Sequence, residues 1–301
     1  MSKSLAGMHA ALLTAMTDDG EFDPVRQRVL NAHVIAQGLA GLYVGGSSGE
    51  SGLLESDALI EQQAVVAESA GGSSVALIAH VGMPSLATSI RLARHAEKRG
   101  YHALSALPPH AYPFSDGEIL DYYRALASAT SLPLIAYEIP LRTGRPLPLG
   151  LLHDILALPG VHGIKFSSND LFKFSLMRSA HPDKLLFFGF DEIYGAGAFL
   201  GSDGGIGTTY NVFGRLYVAL HRAVNDGDVK LARELQDISR RFVEILMAIG
   251  VVPGTKLALG LLGVEVGPSR PPMALLREDG EARLRPFLDE PAVRRWLTAT
   301  P

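Results

Sequence analysis

Eight short runs of apolar, strand-forming residues recur along the chain and limit its possible folds more than any other feature. They are nearly continuous in apolar residues, as expected of parallel strands buried on both faces. Stretches with helical periodicity separate them, so the pattern predicts successive βα units. Ser115 and Glu118 form a predicted capping box, and Pro84-Ser85 marks another helix start. The predicted strands are residues 9–13, 41–44, 75–81, 102–107, 133–139, 161–166, 185–190 and 204–210, and predicted helices include residues 58–70, 85–99, 118–129 and 151–158.

Eight such units favour a closed barrel over a doubly wound sheet. A dinucleotide-binding sheet would carry Gly-x-Gly-x-x-Gly after its first strand, and this sequence has no such motif there. We therefore predict the α/β class, with a (β/α)8 TIM barrel over residues 1–211. Residues 212–301 are predicted to form the last barrel helix and a C-terminal helical extension of the same domain. Helical patterns there cover residues 218–224 and 229–249, with breaks predicted at Pro253-Gly254 and Pro268.

Charge and composition exclude several classes of partner. The net charge is −4, and the scattered Lys and Arg residues form no basic patch for nucleic acid or an anionic membrane. The chain has no cysteine, which excludes disulfides and thiolate metal sites, and no His-x-His or His-Glu-x-x-His pair, so no metal is predicted. The first residues lack a signal-peptide pattern, and no apolar run is long enough for a membrane span. We expect a cytoplasmic protein whose partners are a small molecule and further copies of itself.

Lys165 is the only lysine that ends a predicted strand. The chemistry of a TIM barrel takes place at the C-terminal ends of its strands, so this position falls at the expected site. Burial strips water from an ammonium group and favours the neutral amine, which attacks carbonyl carbons. A lysine that merely extends along the barrel rim to solvent fits the same position, so two interpretations remain open.

Two neighbouring features could cooperate with such a lysine. Tyr137 ends the preceding strand, where its hydroxyl could exchange a proton with a substrate, although a core tyrosine would fit equally well. The segment from Gly45 to Glu50, Gly-Gly-Ser-Ser-Gly-Glu, precedes a predicted helix and offers backbone N–H groups with the hydroxyls of Ser47 and Ser48. Such a loop suits a carboxylate or phosphate, and a simple tight turn is the other interpretation.

The same loop matches the Gly-x-Ser-x-Gly nucleophile elbow of serine hydrolases. A hydrolase would need an Asp and then a His at later strand ends. Asp191 ends the predicted seventh strand, but only His221, inside a predicted helix, follows the eighth. The order of residues therefore argues against a hydrolase.

Taken together and in order, these motifs resemble the pyruvate-dependent lyases and synthases that include N-acetylneuraminate lyase and dihydrodipicolinate synthase. The loop from Gly45 to Glu50 is similar to the family's pyruvate-carboxylate loop, Tyr137-Glu138-Ile139-Pro140 to its tyrosine motif, and Gly163-Ile164-Lys165 to its Schiff-base strand. The resemblance covers nearly the whole chain. It implies that Lys165 condenses with the C2 ketone, that Tyr137 relays the proton, and that no metal or organic cofactor is required.

Further residues resemble the sialic acid lyase branch. The resemblance implies that Gly189, the acidic pair Asp191 and Glu192, and Thr208 hold the hydroxyl groups of a sugar, and that Ser167 corresponds to a small hydroxyl residue two positions after the lysine. Asp191 and Glu192 also fit as first-turn acids favoured by a helix dipole.

Three positions depart from the family pattern. Ala111 occupies the place of an interface tyrosine that completes the proton relay, and Tyr112 follows one residue later. Arg142 resembles the arginine with which the synthase branch binds a second carboxylate, where sialic acid lyases have an apolar residue. Thr208 replaces the more usual Ser.

The resemblance predicts a homotetrameric Schiff-base lyase of N-acetylneuraminate lyase type. Dihydrodipicolinate synthase-type condensation of pyruvate with aspartate semialdehyde, or a 2-keto-3-deoxy sugar acid aldolase or dehydratase, is the alternative that Arg142 raises. Ala111 raises a third, a pyruvate-binding homologue without turnover.

Overall fold

In the computed structural model, which describes residues 5–297, eight parallel strands close into a barrel in chain order, with the first strand paired to the eighth. The barrel prediction is confirmed, and every strand lies within one of the predicted runs or within two residues of it. The strands are β1 Gly7–Ala11, β2 Gly41–Val44, β3 Ala76–His80, β4 Ala103–Ala106, β5 Leu134–Glu138, β6 Val161–Phe166, β7 Leu185–Phe188 and β8 Gly204–Gly207.

Helices follow the strands and cover the outside of the barrel. Ser115 and Glu118 form the predicted capping box, and the Ser85 side chain caps the helix that it precedes. The helices are α1 Pro24–Ile35, α2 Ser56–Ser69, α3 Leu86–Lys98, α4 Asp116–Ala127, α5 Pro140–Thr143, α6 Leu149–Ala157, α7 Leu171–Ala180, α8 Tyr194–Phe199, α9 Tyr210–Asn225, α10 Val229–Ile249, α11 Val251–Leu261, α12 Gly280–Asp289 and α13 Pro291–Arg294.

The predicted helix break at Pro253-Gly254 is wrong. The break lies at Gly250, whose φ of 99° is readily adopted only by glycine, and α11 runs straight through Pro253. Pro253 is the third residue of α11, where the missing N–H has no carbonyl to bond within the helix. No single described helix is long and apolar enough to span a membrane, and α10 and α11 meet that test only as a pair bent by 113°.

The predicted strands seven and eight extended too far. β7 ends at Phe188 and β8 at Gly207, because the residues that follow fold over the barrel mouth. Asp191 therefore begins a short 3-10 helix instead of ending a strand. These crossing segments place polar side chains above the strand ends.

Two layers of apolar side chains fill the fold. The larger cluster lies between the strands and the surrounding helices. A smaller one plugs the barrel interior and supports whatever lies above it at the mouth. Its buried members are Ala11, Tyr43, Ile78, Ala103, Ile135, Phe187 and Ile206.

Candidate active site

Lys165 lies on β6 in the interior of the barrel and is only 4% exposed. Its ammonium nitrogen is 4.3 Å from the ring centre of Tyr137 and 4.4 Å from that of Tyr43. The register of β5 and β6 sets Tyr137 directly beside Lys165, so the two predicted residues are brought together. Among the described residues, no carboxylate forms an ion pair with Lys165. Aromatic faces thus replace the usual counter-ion.

A cavity of about 280 Å³ opens above this lysine. Of the ten predicted site residues, all but Arg142 line it. The nine are Ser47, Ser48, Tyr137, Lys165, Ser167, Gly189, Asp191, Glu192 and Thr208. They come from the ends of five different strands or the loops that follow them, which is the arrangement that the barrel prediction required.

The loop after β2 presents its hydroxyls to this cavity. Ser48 Oγ lies 2.6 Å from Thr208 Oγ1, whereas Ser47 Oγ is buried without a partner among the described residues. The helix predicted after this loop is present as α2, which begins at Ser56 and so leaves five residues between Glu50 and the helix. The left-handed backbone of Gly45, with φ of 73°, starts a tight turn. The loop therefore offers hydroxyls and turn N–H groups, and no helix N-terminus.

The two carboxylate oxygens of Asp191 differ in their hydrogen bonding. Oδ2 accepts hydrogen bonds from the Thr209 backbone N–H at 2.9 Å and from the Thr209 hydroxyl at 2.7 Å. Oδ1 is buried and has no partner among the described residues. Burial raises the pKa of the Asp191 carboxyl to about 6, although the bonds from Thr209 oppose this. Near neutral pH, this oxygen can accept a hydrogen bond from a hydroxyl group.

Gly189 makes room for two of the predicted site residues. A Cβ at this position would lie 2.0 Å from Ser167 Oγ and 3.3 Å from Lys165 Cε, so the first contact would be a clash. Ser167 Oγ is itself buried without a partner in the described part of the chain. Absence of a side chain at Gly189 thus keeps open the space next to the lysine.

Arg142 lies away from the cavity. Its Nη2 is 2.7 Å from the position that a Cβ on Gly52 would take, so the guanidinium lies over the loop after β2. The neighbouring Leu141 lines the cavity in its place. Within residues 5–297, no carboxylate pairs with Arg142, so its charge is available to a ligand or to another chain.

Tyr112 does not reach the lysine cavity. It is 74% exposed, and with Ala111 it lines a separate cavity of about 390 Å³. Its ring packs edge-on against Phe114, 6.1 Å away. Within the described chain, Tyr112 therefore makes no contribution to the cavity of its own Lys165.

Sequence reasoning missed three parts of the site. Tyr43, a strand-end aromatic one residue before the end of β2, was detectable by the same argument as Tyr137. Thr209 was detectable only as a hydroxyl residue beside Thr208. The four residues from α10 and α11 gave no local signal, because only the tertiary fold brings these helices over the mouth. They are Val243, Leu246, Met247 and Val251.

The serine hydrolase alternative finds no support in this geometry. Neither Ser47 nor Ser48 is hydrogen-bonded to a histidine in the described residues. His80 is instead buried below the mouth, with Nδ1 2.9 Å from the Tyr43 hydroxyl. The described residues also contain no cluster of three potential metal ligands.

The fold and the site define a (β/α)8 barrel with a buried lysine near the end of its sixth strand, at the floor of a cavity in the barrel mouth. The model of the dihydrodipicolinate synthetase family matches residues 4–290, and the chain belongs to this family.

The chain is 42% identical to the N-acetylneuraminate lyase of Rhizobium meliloti (strain 1021) over 282 residues, which covers 93% of each protein. The structure of CdNal from Clostridium difficile in complex with mannosamine superposes with a TM-score of 0.92 at 29% identity, covering 98% of this chain and 100% of that one. The N-acetylneuraminate lyase of Fusobacterium nucleatum complexed with pyruvate has a TM-score of 0.88 at 28% identity, covering 98% of both chains.

Proposed function

We propose that this protein is a class I, Schiff-base lyase that cleaves N-acetylneuraminate reversibly to pyruvate and N-acetylmannosamine. The observation that carries the proposal is the buried amine of Lys165, which has aromatic neighbours and, among the described residues, no counter-ion, at the floor of a cavity whose lining includes several hydroxyl and carboxyl side chains. The names of its relatives support this substrate, and one similar structure is complexed with pyruvate.

The proposed reaction begins when the neutral amine of Lys165 attacks the C2 ketone and water leaves, which forms an iminium. The Tyr137 hydroxyl then relays the proton lost from the C4 hydroxyl while the C3–C4 bond breaks. The electrons of that bond move to the iminium and give an enamine, and the C4 carbon leaves as the aldehyde. Protonation at C3 and hydrolysis release pyruvate and restore the amine. The reaction written in this way balances without an oxidant, a metal or an organic cofactor.

The remaining cavity residues divide between the two ends of the substrate. We assign the carboxylate of pyruvate to the loop of Ser47 and Ser48, where the buried Ser47 hydroxyl has a free hydrogen-bonding capacity. The sugar hydroxyls are assigned to the wall that follows β7 and β8, where the buried Asp191 Oδ1 has no hydrogen-bond partner among the described residues. Glu192 and the Ser167–Gly189 space complete that wall in this proposal. Thr208 is also assigned to the sugar, at the boundary with the serine loop, because its hydroxyl lies 2.6 Å from Ser48 Oγ.

Borohydride reduction in the presence of pyruvate tests the Schiff base. Lys165 should gain the mass of a reduced pyruvyl adduct, which peptide mass spectrometry locates. The variant Lys165→Ala should lose the label, and Lys184→Ala, whose amine bonds to the Val161 carbonyl, should keep it. Equal labelling of Lys165→Ala would refute the mechanism. Pyruvate binding without cleavage of any 2-keto acid would support the non-catalytic homologue instead.

A second candidate function rests on Arg142, whose guanidinium has no carboxylate partner in the described chain. A planar bidentate cation over the loop after β2 would suit an aldehyde with its own carboxylate if its side chain turned towards the cavity, as in condensation with aspartate semialdehyde or cleavage of a 2-keto-3-deoxy sugar acid. Parallel assays with N-acetylmannosamine and aspartate semialdehyde separate the two functions. If Arg142→Leu lowers turnover only with the acidic aldehyde, the second function is supported. If turnover with both aldehydes stays at the native level, Arg142 has another role.

We further propose a cytoplasmic homotetramer. Large apolar side chains on the barrel surface support self-association, since Phe172 on α7 and Phe199 on α8 are 74% and 83% exposed. The absence of cysteine fits a reducing compartment. Light scattering during size-exclusion chromatography should give four times the mass of 32.1 kDa, and cell fractionation tests the location.

A further inference from the structure

A buried ion pair joins the loop after β2 to the C-terminal helices. Lys256 Nζ on α11 lies 2.6 Å from Glu50 Oε1, and the two side chains are 3% and 0% exposed. Lys256 Nζ also donates to the Pro268 carbonyl at 2.7 Å, and Glu50 Oε2 accepts from the Arg270 backbone N–H at 2.6 Å. Two groups of the C-terminal region thus contact one carboxylate, and the Pro268 carbonyl helps to hold one of them, the Lys256 amine.

Glu50 belongs to the same turn as the two site serines. Its backbone N–H donates to the Ser47 carbonyl at 3.1 Å, and its φ is 59°, in the left-handed region that a non-glycine residue rarely adopts. Such a conformation persists only when surrounding contacts enforce it. The side-chain contacts of Glu50 act together with backbone bonds of the turn, such as that from the Leu53 N–H to the Glu50 carbonyl at 2.8 Å, and they tie this turn, in which Ser47 and Ser48 lie, to the C-terminal region.

A buried ion pair contributes little net stability, because desolvation of both charges offsets their attraction. The pair at Glu50 and Lys256 is therefore better explained by what it orients than by what it stabilises. It lies behind the cavity and lines none of it, so it contacts no substrate.

We propose that Glu50 and Lys256 are positioning residues that hold the carboxylate-binding loop, so that the C-terminal helices determine the affinity for pyruvate. This inference rests on the proposed function, because it takes pyruvate as the ligand of the loop. Loss of the pair should loosen Ser47 and Ser48 and leave the chemistry at Lys165 in place.

The main test is the double variant Glu50→Gln/Lys256→Met, which removes both charges and leaves no unpaired buried ion. We expect the KM for pyruvate in the synthesis direction to rise ~10-fold, equivalent to the loss of one good hydrogen bond, with kcat within ~3-fold of the native value. Borohydride at saturating pyruvate should still label one Lys165 per chain. The matched control is Arg241→Met/Glu290→Gln, which breaks a pair between α10 and the start of α13 in the same C-terminal region and should leave KM unchanged.

Two further variants keep the proposal falsifiable if the double variant folds poorly. Glu50→Gln alone leaves one acceptor oxygen, which can serve Lys256 or the Arg270 N–H but not both, and it should raise KM by ~3-fold or more. Lys256→Arg, which keeps the charge, should stay near the native KM. An unchanged KM in folded Glu50→Gln and in the double variant would overturn the inference, as would a fall in kcat without a change in KM. If the native protein shows no pyruvate adduct at all, the proposed function fails and this inference fails with it.

Discussion

Asp191→Asn is expected to stabilise the protein most at alkaline pH. Asp191 is 6% exposed, and burial raises the pKa of its carboxyl from 3.8 to about 6. In the unfolded chain the group ionises near 3.8, so between these values the folded state binds more protons and its stability falls as pH rises. A difference of about two pKa units between the folded and unfolded chain corresponds to about 3 kcal/mol of folding stability. The native protein has lost all of this stability above about pH 6. An asparagine carbonyl can accept both bonds from Thr209 without any charge.

Urea unfolding at pH 4.5 and at pH 8 measures this effect. The free energy of unfolding of the variant should exceed that of the native protein by about 3 kcal/mol at pH 8. At pH 4.5 the difference should be about 1 kcal/mol, because this pH lies only part of the way between the pKa of the unfolded chain and that of the folded chain. Asp237→Asn, at a half-exposed carboxylate on α10, is the control and should give the same small difference at both pH values. An Asp191→Asn gain that is independent of pH, or a loss of stability at pH 8, would refute the argument. Cleavage activity should fall in the same variant, since its open oxygen is assigned to the sugar.

Three other substitutions test the packing around the lysine. Tyr137→Phe keeps the ring that lies 4.3 Å from Lys165 Nζ, so borohydride labelling should persist. Its kcat should fall ~10²–10⁴-fold, because the hydroxyl that relays the proton is lost. A kcat within about threefold of the native value would show that this hydroxyl does not relay the proton. Gly189→Ala places a Cβ 2.0 Å from Ser167 Oγ, and the labelling rate should fall ~10²-fold with an unchanged circular dichroism spectrum, so a native rate would contradict the clash. Gly163→Ala puts a Cβ 2.1 Å from a β7 carbonyl oxygen and should cost about 3 kcal/mol or more in unfolding free energy, whereas an unchanged Tm would disprove the contact.

The barrel and its central pair could be predicted because both depend on local patterns. Runs buried on both faces predict parallel strands, and eight of them close in chain order. Strand ends that are adjacent in this order lie side by side, which is why Tyr137 and Lys165 come into register. The same rule applies to Tyr43, near the end of β2. In that part of the chain, however, only Ser47 and Ser48 of the following loop were predicted to belong to the site.

Other features depend on contacts that no local pattern contains. The apolar face of α10 is visible in the sequence, yet nothing in it shows that Val243 and Leu246 cover the mouth of the barrel. Lys256 is an ordinary helical lysine until the fold brings it to Glu50, more than 200 residues earlier in the chain. Arg142 was predicted to face the substrate, but the short helix α5 directs it over Gly52 and leaves Leu141 at the cavity.

The buried polar atoms around Lys165 bear on whether the cavity is a binding site at all. Ser47 Oγ, Ser167 Oγ and Asp191 Oδ1 are each buried without a partner among the described residues. Each such atom costs about 1–3 kcal/mol when it is left unsatisfied, so proteins rarely retain one without use. Three of them around one small cavity, on different strand ends, fit a polar occupant with hydrogen-bonding groups on more than one side. A lysine that only extended along the rim to solvent would account for none of them, whereas a keto acid with hydroxyl groups accounts for all three.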